Sequence, residues 1–356
     1  MNKEKQNKIE EIKVSPEISI MEALKKMDKS YKRLLFVFDK KKFYNLLSIG
    51  DIQRAIIKNY SLDTKIDEIL RKDPRVSYSI ESFEIIKNRM LRFKAESMPV
   101  LNEDKELVNA YFWEDIFPDE IKLTQCKLNL PVVIMAGGKG SRLKPITNVL
   151  PKPLIPIGEK TILEHIMNRF VEVGCNTFYM SVNYKAEMIK HYFKTLDNAD
   201  YRINYFEEEK PLGTAGSLFL LKGKMTKTFF VSNCDIIIDE DYGEILDYHR
   251  KNKNLITVVA ALKHYKIPYG TISTKKDGLL TELNEKPELT FKINSGMYIL
   301  EPETLNEIPE NEFFHITYLI EKIKNNGGRV GVFPVSENSW KDIGDWEEYL
   351  NNKDNR

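Results

Sequence analysis

Cysteine is scarce in this sequence, which has only three among its 356 residues, at positions 126, 175 and 234. Their wide spacing and odd number fit neither a disulfide framework nor a metal-binding motif, which is typical of a reducing compartment. No stretch approaches the ~20 consecutive apolar residues that a transmembrane helix requires. Residues 1–11 are rich in lysine and glutamate and lack the apolar centre of a signal peptide. We therefore expect a cytoplasmic protein that does not act in a membrane.

An excess of charge is also missing, because 54 lysines and arginines nearly balance 53 aspartates and glutamates. This balance gives no indication of a nucleic-acid partner. The five histidines are scattered, and no Ser–His or Cys–His arrangement is legible. A length of 356 residues suits two domains. We predict a first domain over residues 1–120, a linker over 121–129 and a second domain over 130–356.

The first domain contains an internal repeat with an offset of 63, which matches Ile20 to Phe83 and Ile49 to Phe112. Each copy has the pattern of a short strand, a helix, two strands and a second helix, an α+β arrangement. One copy is too small to bury both faces of its sheet, so the two copies should pack together. The layout resembles a tandem pair of cystathionine-β-synthase (CBS) motifs, modules that often bind adenine nucleotides.

One S-x-x-D motif, Ser48 to Asp51, makes this resemblance more specific. The resemblance implies that Asp51 accepts from ribose hydroxyls while Ser48 donates to a phosphate. The alternative is that Asp51 only caps the helix that follows, and both roles can coexist. The second repeat has the bulky Tyr111 where the hydroxyl should be. At most one intact site for an adenine or other nucleotide is expected.

From residue 130 onward, strands alternate with helices. Thr161 and Glu164 form a capping box at the start of one helix, and Gly174 ends it. Such alternation predicts a Rossmann-like α/β domain, with a mostly parallel sheet covered by helices on both faces. Ligands of such sheets bind at the carboxyl ends of the strands.

A glycine-rich loop, residues 135–145, follows the apolar strand predicted at 131–134. Its glycines allow a tight turn that presents backbone N–H groups to an anion. The spacing is not that of a Walker loop, and G-G-x-G alone could be a simple turn. Arg142 and the Pro-Lys-Pro sequence around Lys152 add two cations that would complement phosphate.

The whole block resembles the signature of the sugar-1-phosphate nucleotidylyltransferases, in particular their guanylyltransferase-like branch. The resemblance covers about residues 130 to 350. It implies transfer of a nucleotidyl group from an NTP to a sugar 1-phosphate, with release of pyrophosphate. Arg142 would hold the pyrophosphate, and Lys152 would attract the attacking phosphate. The nucleotide-binding positions implied by the resemblance are Ala136, Gly137, Gly138, Gly140, Ser141, Arg142, Gly213, Thr214 and Asp235.

Two aspartates are candidate metal ligands. Asp235 follows an apolar strand, and Asp342 lies in a W-x-D-I-G motif. A single aspartate at a strand end is usually a turn or cap residue. In the resembled family, however, these two positions bind the catalytic metal, and Mg²⁺ prefers a few carboxylates together with phosphate oxygens. We expect Mg²⁺, with Mn²⁺ as the alternative.

Three later segments, residues 269–270, 285–287 and 294–298, resemble the sugar-contacting segments of the family. Taken singly, Lys286 has the character of a surface cation and Asn294 that of a turn residue. The positions that the resemblance assigns to the sugar phosphate are Lys152, Gly270, Glu285, Lys286 and Asn294. The acidic run 207–209 is typical of a solvated surface, although one of its glutamates could accept from guanine.

The motif around Gly213 resembles the guanylyltransferase branch. A CBS pair ahead of the transferase resembles the guanylyltransferases that supply amino sugars to nonulosonic (legionaminic-type) acid pathways. On this resemblance we expect GTP and glucosamine 1-phosphate as substrates, with mannose 1-phosphate as the alternative. The alternative of a different class is a non-catalytic nucleotide sensor. Such a sensor would have lost a metal-binding carboxylate or Lys152, and this sequence has both. We also expect a homo-oligomer.

Overall fold

The structure, a computed structural model, describes residues 3–40, 42–93, 95–117, 127–344 and 350. The chain divides into two compact units, Met1–Thr124 and Gln125–Arg356, called here the N-terminal and the C-terminal unit. Most of the predicted linker lies outside the described residues, so the predicted domain boundaries stay a prediction.

The N-terminal unit contains two small three-stranded sheets and the helices around them. Its helices are α1 (Lys3–Ile12), α2 (Ile20–Ser30), α3 (Ile49–Ile57), α4 (Phe83–Phe93) and α5 (Trp113–Ile116). Its strands are β1 (Lys13–Val14), β2 (Leu34–Asp39), β3 (Lys42–Ser48), β4 (Ser77–Tyr78), β5 (Ser97–Leu101) and β6 (Leu107–Phe112). In each sheet a short strand runs parallel to the central strand and the third strand is antiparallel to it. The predicted repeat is thus present in the fold.

The offset between the two copies is not constant, however. Helices α2 and α4 begin 63 residues apart, as predicted. Within the sheets, Leu34 pairs with Ser48, whereas Ser97 pairs with Phe112. The offset is therefore still 63 at the start of β5 but 64 at the end of β6, after the turn that joins these two strands. One additional residue in that turn accounts for the change.

The match of Ile49 to Phe112 was therefore wrong by one residue. Ile49 is the first residue of α3, and its counterpart is Trp113, the first residue of α5. By the same shift, Asp115 stands where the first copy has Asp51. The second copy therefore lacks the hydroxyl of the S-x-x-D motif but keeps its aspartate.

The C-terminal unit is built on a seven-stranded sheet. Its helices are α6 (Ile162–Glu172), α7 (Ala186–Leu196), α8 (Tyr242–Lys251) and α9 (Ile316–Asn325). Its strands are β7 (Pro131–Met135), β8 (Pro156–Ile157), β9 (Lys160–Thr161), β10 (Thr177–Val182), β11 (Arg202–Glu207), β12 (Phe229–Asn233), β13 (Ile236–Ile238), β14 (Ile256–Lys266), β15 (Thr271–Thr274), β16 (Leu280–Asn284), β17 (Glu288–Leu300), β18 (Val330–Val335) and β19 (Trp340–Asp342). Short 3-10 helices span Ser141–Leu143, Ile146–Asn148, Lys152–Leu154, Gly216–Leu221, Lys276–Gly278 and Pro302–Glu307.

The strand order in this sheet is β11-β10-β7-β12-β17-β14-β18, and only β17 runs antiparallel to its neighbours. The prediction of a mostly parallel α/β sheet is confirmed. Val132 and Ile134 pack into one apolar core and Val133 into another, because successive side chains of a strand point to opposite faces. Burial on both faces explains why the central strands are continuous apolar runs.

The capping box predicted for α6 is also present. The Thr161 side chain accepts from the Glu164 N–H, and the Glu164 carboxylate accepts from the Thr161 N–H at 2.8 Å. Such a cap contributes about 1 kcal/mol to helix stability. Over the described ranges, no helix has both the length and the apolar character needed to cross a membrane.

Candidate active site

The predicted nucleotide and metal residues meet at the carboxyl ends of the central parallel strands. The glycine-rich loop follows β7, and Asp235 follows β12, the strand beside it. Asp342 is distant in sequence, but β19 pairs with β13 so that Asp342 lies opposite Ile236. Ligands of open α/β sheets bind at this edge.

Gly140 of the glycine-rich loop combines a left-handed backbone conformation with surroundings that leave no room for a Cβ. Its φ is +62°, in the left-handed region. A Cβ at this position would lie 2.9 Å from Cβ of Lys152 and 3.0 Å from Cγ2 of Thr147. Thr147 Oγ1 also donates to the Gly140 carbonyl at 3.0 Å. The loop is therefore packed directly against the segment that carries Lys152.

The other loop positions differ in their exposure to a ligand. The Ala136 N–H donates to the Ser181 carbonyl at 3.0 Å, so it is not free to bind phosphate. Gly138 has no positive φ, and a Cβ there would meet nothing within 4 Å. Among the described residues, neither strain nor packing requires glycine at position 138. Ser141 is exposed and begins the 3-10 turn Ser141–Leu143.

Lys152 and Asp235 form a buried ion pair at the centre of the site. Lys152 is only 6% exposed, and its ammonium donates to Oδ2 of Asp235. The Arg142 guanidinium lies 3.9 Å from the same oxygen, while 62% of its side chain is exposed. One cation is thus held inside the site and the second faces the solvent.

Asp342 supplies a second carboxylate with an unusual environment. Its Oδ1 is buried and has no hydrogen-bond partner among the described residues. Burial raises the pKa of Asp342, and the negative charge of Asp235 raises it further. A Cβ on Gly344 would come within 2.5 Å of this oxygen and 2.8 Å of the Arg142 guanidinium, which explains the glycine of W-x-D-I-G.

This arrangement fits a magnesium ion. A buried acceptor without a partner costs about 1–3 kcal/mol, which a bound cation would offset. The described residues contain no group of three or more His, Cys, Asp or Glu side chains that could hold a metal. Two carboxylates, with the remaining positions left to water and substrate phosphate, are what Mg²⁺ prefers. The donor set therefore suits Mg²⁺ better than a metal that needs a closed protein cage.

The second glycine-containing segment, residues 212–216, is fixed by the chain just before α9. A Cβ on Gly213 (φ +81°) would lie 2.8 Å from the Phe314 carbonyl, and the Gly216 N–H donates to that carbonyl at 3.0 Å. The Thr214 hydroxyl accepts from the Ile316 N–H at 3.0 Å and so caps α9. The segment leads into the six-residue 3-10 helix Gly216–Leu221.

Glu208 is the functional candidate that the sequence did not single out. It is buried, whereas Glu207 and Glu209 are exposed. Its carboxylate accepts from the Ser181 hydroxyl at 2.5 Å and from the Leu212 N–H at 3.1 Å. The burial of β11 does not alternate, since Ile203, Asn204 and Tyr205 are all half-buried, so no sequence signal distinguishes this glutamate from its neighbours.

Glu208 also lies directly beside the glycine-rich loop. A Cβ added to Gly137 would come within 2.9 Å of Oε1 of Glu208. The carboxylate thus joins the two glycine-containing loops, since it also binds the backbone of the second one at Leu212.

The predicted sugar residues lie on more exposed segments. A Cβ on Gly270 would be 3.0 Å from Oε2 of Glu285, so these two positions adjoin each other. Lys286 is exposed and has a φ of +47°. Asn294 Oδ1 accepts from the Gly296 N–H at 3.1 Å within β17, close to the end of β12. No described contact joins Glu285 or Lys286 to Asp235.

In the N-terminal unit, Ser48 and Asp51 form a complete capping box at the start of α3. The expectation that Asp51 itself caps the helix is wrong, because Ser48 is the N-cap and Asp51 is the third residue of a helix that begins at Ile49. Arg71 binds both residues, with Nε 2.7 Å from Asp51 Oδ1 and a terminal nitrogen 2.9 Å from Ser48 Oγ. Arg54 also contacts Asp51 Oδ1. Burial by itself would raise the pKa of Asp51, but the hydrogen bonds from Arg71 and Ser48 hold it below its usual value. Asp115, its counterpart in the second copy, accepts from Lys8 at 2.7 Å.

Comparison with known families agrees with this geometry. A family model described as nucleotidyl transferase matches residues 131–355, and a CBS domain model matches residues 8–58. The first match covers more than half of the chain, so the chain belongs to the nucleotidyl transferase family, with a CBS domain ahead of the transferase domain.

Relatives of the chain include guanylyltransferases. The chain is 34% identical over 182 residues to the mannose-1-phosphate guanylyltransferase catalytic subunit beta of Drosophila pseudoobscura pseudoobscura, covering 49% of each chain. It is 28% identical over 229 residues to the probable mannose-1-phosphate guanylyltransferase 2 of Oryza sativa subsp. japonica, covering 62% of this chain and 63% of the relative. The chain therefore spans about half to two thirds of the length of the curated relatives it matches.

Among solved structures, HddC from Yersinia pseudotuberculosis is similar at 25% identity and a TM-score of 0.50. The match covers 63% of this chain and 98% of HddC. HddC has also been solved in complex with GMP-PN.

Proposed function

We propose that this chain transfers a guanylyl group from GTP to a sugar 1-phosphate and releases pyrophosphate. The observation that carries the proposal is the group formed by Lys152, Asp235 and the unpartnered oxygen of Asp342 at the glycine-rich loop. It combines a buried cation with two adjacent carboxylates where a phosphate chain would lie. The guanylyltransferase relatives and the GMP-PN complex of HddC support the guanine nucleotide.

The reaction would need little proton transfer, because the attacking sugar phosphate is already an anion. Catalysis then depends on positioning and on neutralising charge. The exposed Arg142 would hold the pyrophosphate, and Lys152 would attract the attacking phosphate. Asp235 and Asp342 would hold Mg²⁺, which supplies charge neutralisation for the phosphates when bound.

Base recognition is proposed for Glu208. Its carboxylate lies between the two glycine-containing loops, beside Gly137. Each carboxylate oxygen has two lone pairs, so acceptor capacity remains for the guanine N1–H and amino group. Of the three consecutive glutamates, only this one is buried among the loops that would hold the base.

The sugar is proposed to be glucosamine 1-phosphate or mannose 1-phosphate. The similarity to mannose-1-phosphate guanylyltransferases favours mannose. The CBS domain ahead of the transferase favours glucosamine, through the resemblance to enzymes of nonulosonic acid pathways. These sugars differ only at C2, and discrimination of such groups depends on the placement of single side chains. The homo-oligomeric state and the cytoplasmic location stay predictions from the sequence.

The test is pyrophosphate release by the purified full chain with Mg²⁺, measured for every pairing of four NTPs with glucosamine, mannose and glucose 1-phosphates. We expect GTP with glucosamine or mannose 1-phosphate to give the highest kcat/KM. Loss of activity on addition of EDTA and recovery with Mg²⁺ would support the metal assignment. No turnover with any pair would reject the proposal in favour of a non-catalytic nucleotide sensor.

A second function is proposed for the N-terminal unit, the binding of a regulatory nucleotide at Ser48 and Asp51. The specific observation is that Arg54 and Arg71 both contact the single buried carboxylate of Asp51. Two cations around one anion leave positive charge for a phosphate group. A ribose would have to displace Arg71 from Asp51, because Arg71 binds both groups of the motif.

Calorimetry of the full chain with AMP, ADP and ATP tests this function. We expect Asp51→Asn to abolish adenine nucleotide binding, and the exposed Asp63→Asn to leave it unchanged. The bound nucleotide should change the activation free energy derived from kcat/KM by no more than ~1–3 kcal/mol, the size typical of allosteric coupling. No heat with any of the three nucleotides, together with a change in oligomer mass on deletion of the unit, would instead indicate an assembly role.

A further inference from the structure

Lys185 occupies a strained position between β10 and α7. Its φ of +53° and ψ of +37° lie in the left-handed region, and its side chain does not cap α7. Residues other than glycine and asparagine rarely adopt this backbone conformation, which costs roughly 1–2 kcal/mol. Such strain persists where the surrounding structure determines the conformation strongly.

The Lys185 ammonium binds a set of backbone carbonyls at the end of the 3-10 helix Ile146–Asn148. Its Nζ lies 2.6 Å from the Asn148 carbonyl oxygen, 2.7 Å from that of Val149 and 3.4 Å from that of Thr147. Carbonyls at a helix end lack partners within the helix, and an ammonium offers three donors. One side chain therefore satisfies three consecutive carbonyls.

The clamped segment, residues 147–149, connects the two parts of the phosphate site. Thr147 donates to the Gly140 carbonyl of the glycine-rich loop. Two residues beyond Val149, Pro151 caps the 3-10 helix that begins with Lys152. A shift of the segment would consequently move both the loop and the buried lysine.

The residues just before Lys185 make related contacts. The Tyr184 hydroxyl donates to the Thr147 carbonyl at 3.2 Å. On the other side, Asn183 Nδ2 donates to the Glu208 carbonyl at 2.6 Å. The connection between β10 and α7 therefore contacts both the segment that carries Lys152 and the strand end that carries Glu208.

We propose that Lys185 is a positioning residue of the transferase. By binding the three carbonyls of residues 147–149, its charge holds the glycine-rich loop and Lys152 in place before substrate arrives. Catalysis by positioning is sensitive to such support, since a displacement of about 1 Å can cost ~10²-fold in rate. The inference rests on the proposed function for its kinetic consequence and on the geometry alone for its structural consequence.

The kinetic test compares Lys185→Met, which keeps the length of the side chain, with Lys185→Arg, which keeps the charge. Lys194→Met, at an exposed position of α7, is the matched control. We expect Lys185→Met to lower kcat at least ~10-fold and to raise the KM for the sugar phosphate, with a melting temperature close to that of the control. Lys185→Arg should recover most of the lost rate. A kcat within about twofold of wild type, or a loss that matches the unfolded fraction, would overturn the proposal.

Hydrogen exchange of the ligand-free chain gives a second readout that does not depend on activity. We expect faster exchange of amides in residues 140–152 in Lys185→Met, but not in Lys194→Met. Unchanged exchange there would overturn the positioning role even if the enzyme is active. If the wild-type chain shows no transferase activity while exchange still increases as expected, the proposed function fails and the positioning role stands.

Discussion

Asp235→Asn should lower kcat at least ~10²-fold while leaving the fold intact, because it removes one negative charge from the proposed metal site without changing its shape. Asp235 is the carboxylate on which the site converges. Lys152 donates to it, Arg142 lies 3.9 Å away, and its charge raises the pKa of Asp342. A neutral amide at this position would bind Mg²⁺ weakly and would leave both cations without their partner.

The measurement is Mg²⁺-dependent pyrophosphate release, corrected for the folded fraction from circular dichroism. The correction matters because Lys152 is buried and loses its counter-ion in this variant. Asp239→Asn is the matched control, since Asp239 lies just beyond β13 and pairs with Arg169 at the surface. Near-normal turnover of folded Asp235→Asn over a range of Mg²⁺ concentrations would reject the metal assignment.

Lys152→Ala should lower kcat/KM by roughly 10²-fold, the usual effect of removing one group that stabilises developing charge. The loss should appear mainly as a raised KM for the sugar 1-phosphate, because Lys152 is assigned to the attacking phosphate. Alanine keeps the Cβ that packs against Gly140, so the glycine-rich loop should keep its shape. The change therefore removes the charge of Lys152 together with the buried part of its side chain beyond Cβ.

Steady-state kinetics with each substrate varied in turn separates the two cations of the site. Lys160→Ala, an exposed lysine of β9, serves as the control and should behave as wild type. If only the KM for GTP rises in Lys152→Ala, then the roles of Lys152 and Arg142 are the reverse of those proposed. Unchanged kinetics for both substrates would remove Lys152 from the reaction altogether.

The comparison of the two copies of the N-terminal repeat shows where sequence matching reached its limit. The offset of 63 is correct for the helices α2 and α4, whose apolar faces repeat. It is wrong after the turn between β5 and β6, because an inserted residue in a turn does not change the apolar pattern of the strands. Only the pairing of Ser97 with Phe112 revealed the shift, and with it the equivalence of Asp115 to Asp51.

The acidic run and the clamp at Lys185 show a related limit. Positions 207, 208 and 209 are all glutamate, and only the fold shows that Glu208 is the buried one. Lys185 looks like an ordinary surface lysine until the carbonyls of residues 147–149 are placed around it. Both roles depend on backbone groups from other segments, which carry no residue-specific signal.

By itself the sequence determined the features that depend on near neighbours along the chain. The capping box at Thr161 joins residues three positions apart, and the buried strand β7 is a short apolar run before its glycine loop. Such patterns are local, since helix caps and strand burial involve only a few consecutive residues. The class of the C-terminal unit followed from them.

The tertiary structure alone decided which distant residues form the site. Lys152 and Asp235 are 83 positions apart, and Asp342 joins them only because β19 pairs with β13. The 3.9 Å separation between Arg142 and Asp235, and the burial that raises the pKa of Asp342, exist only once these segments are brought together. A family motif can name these residues, but their separations and electrostatic coupling arise only when the chain folds, because both depend on distance in space and on exclusion of water.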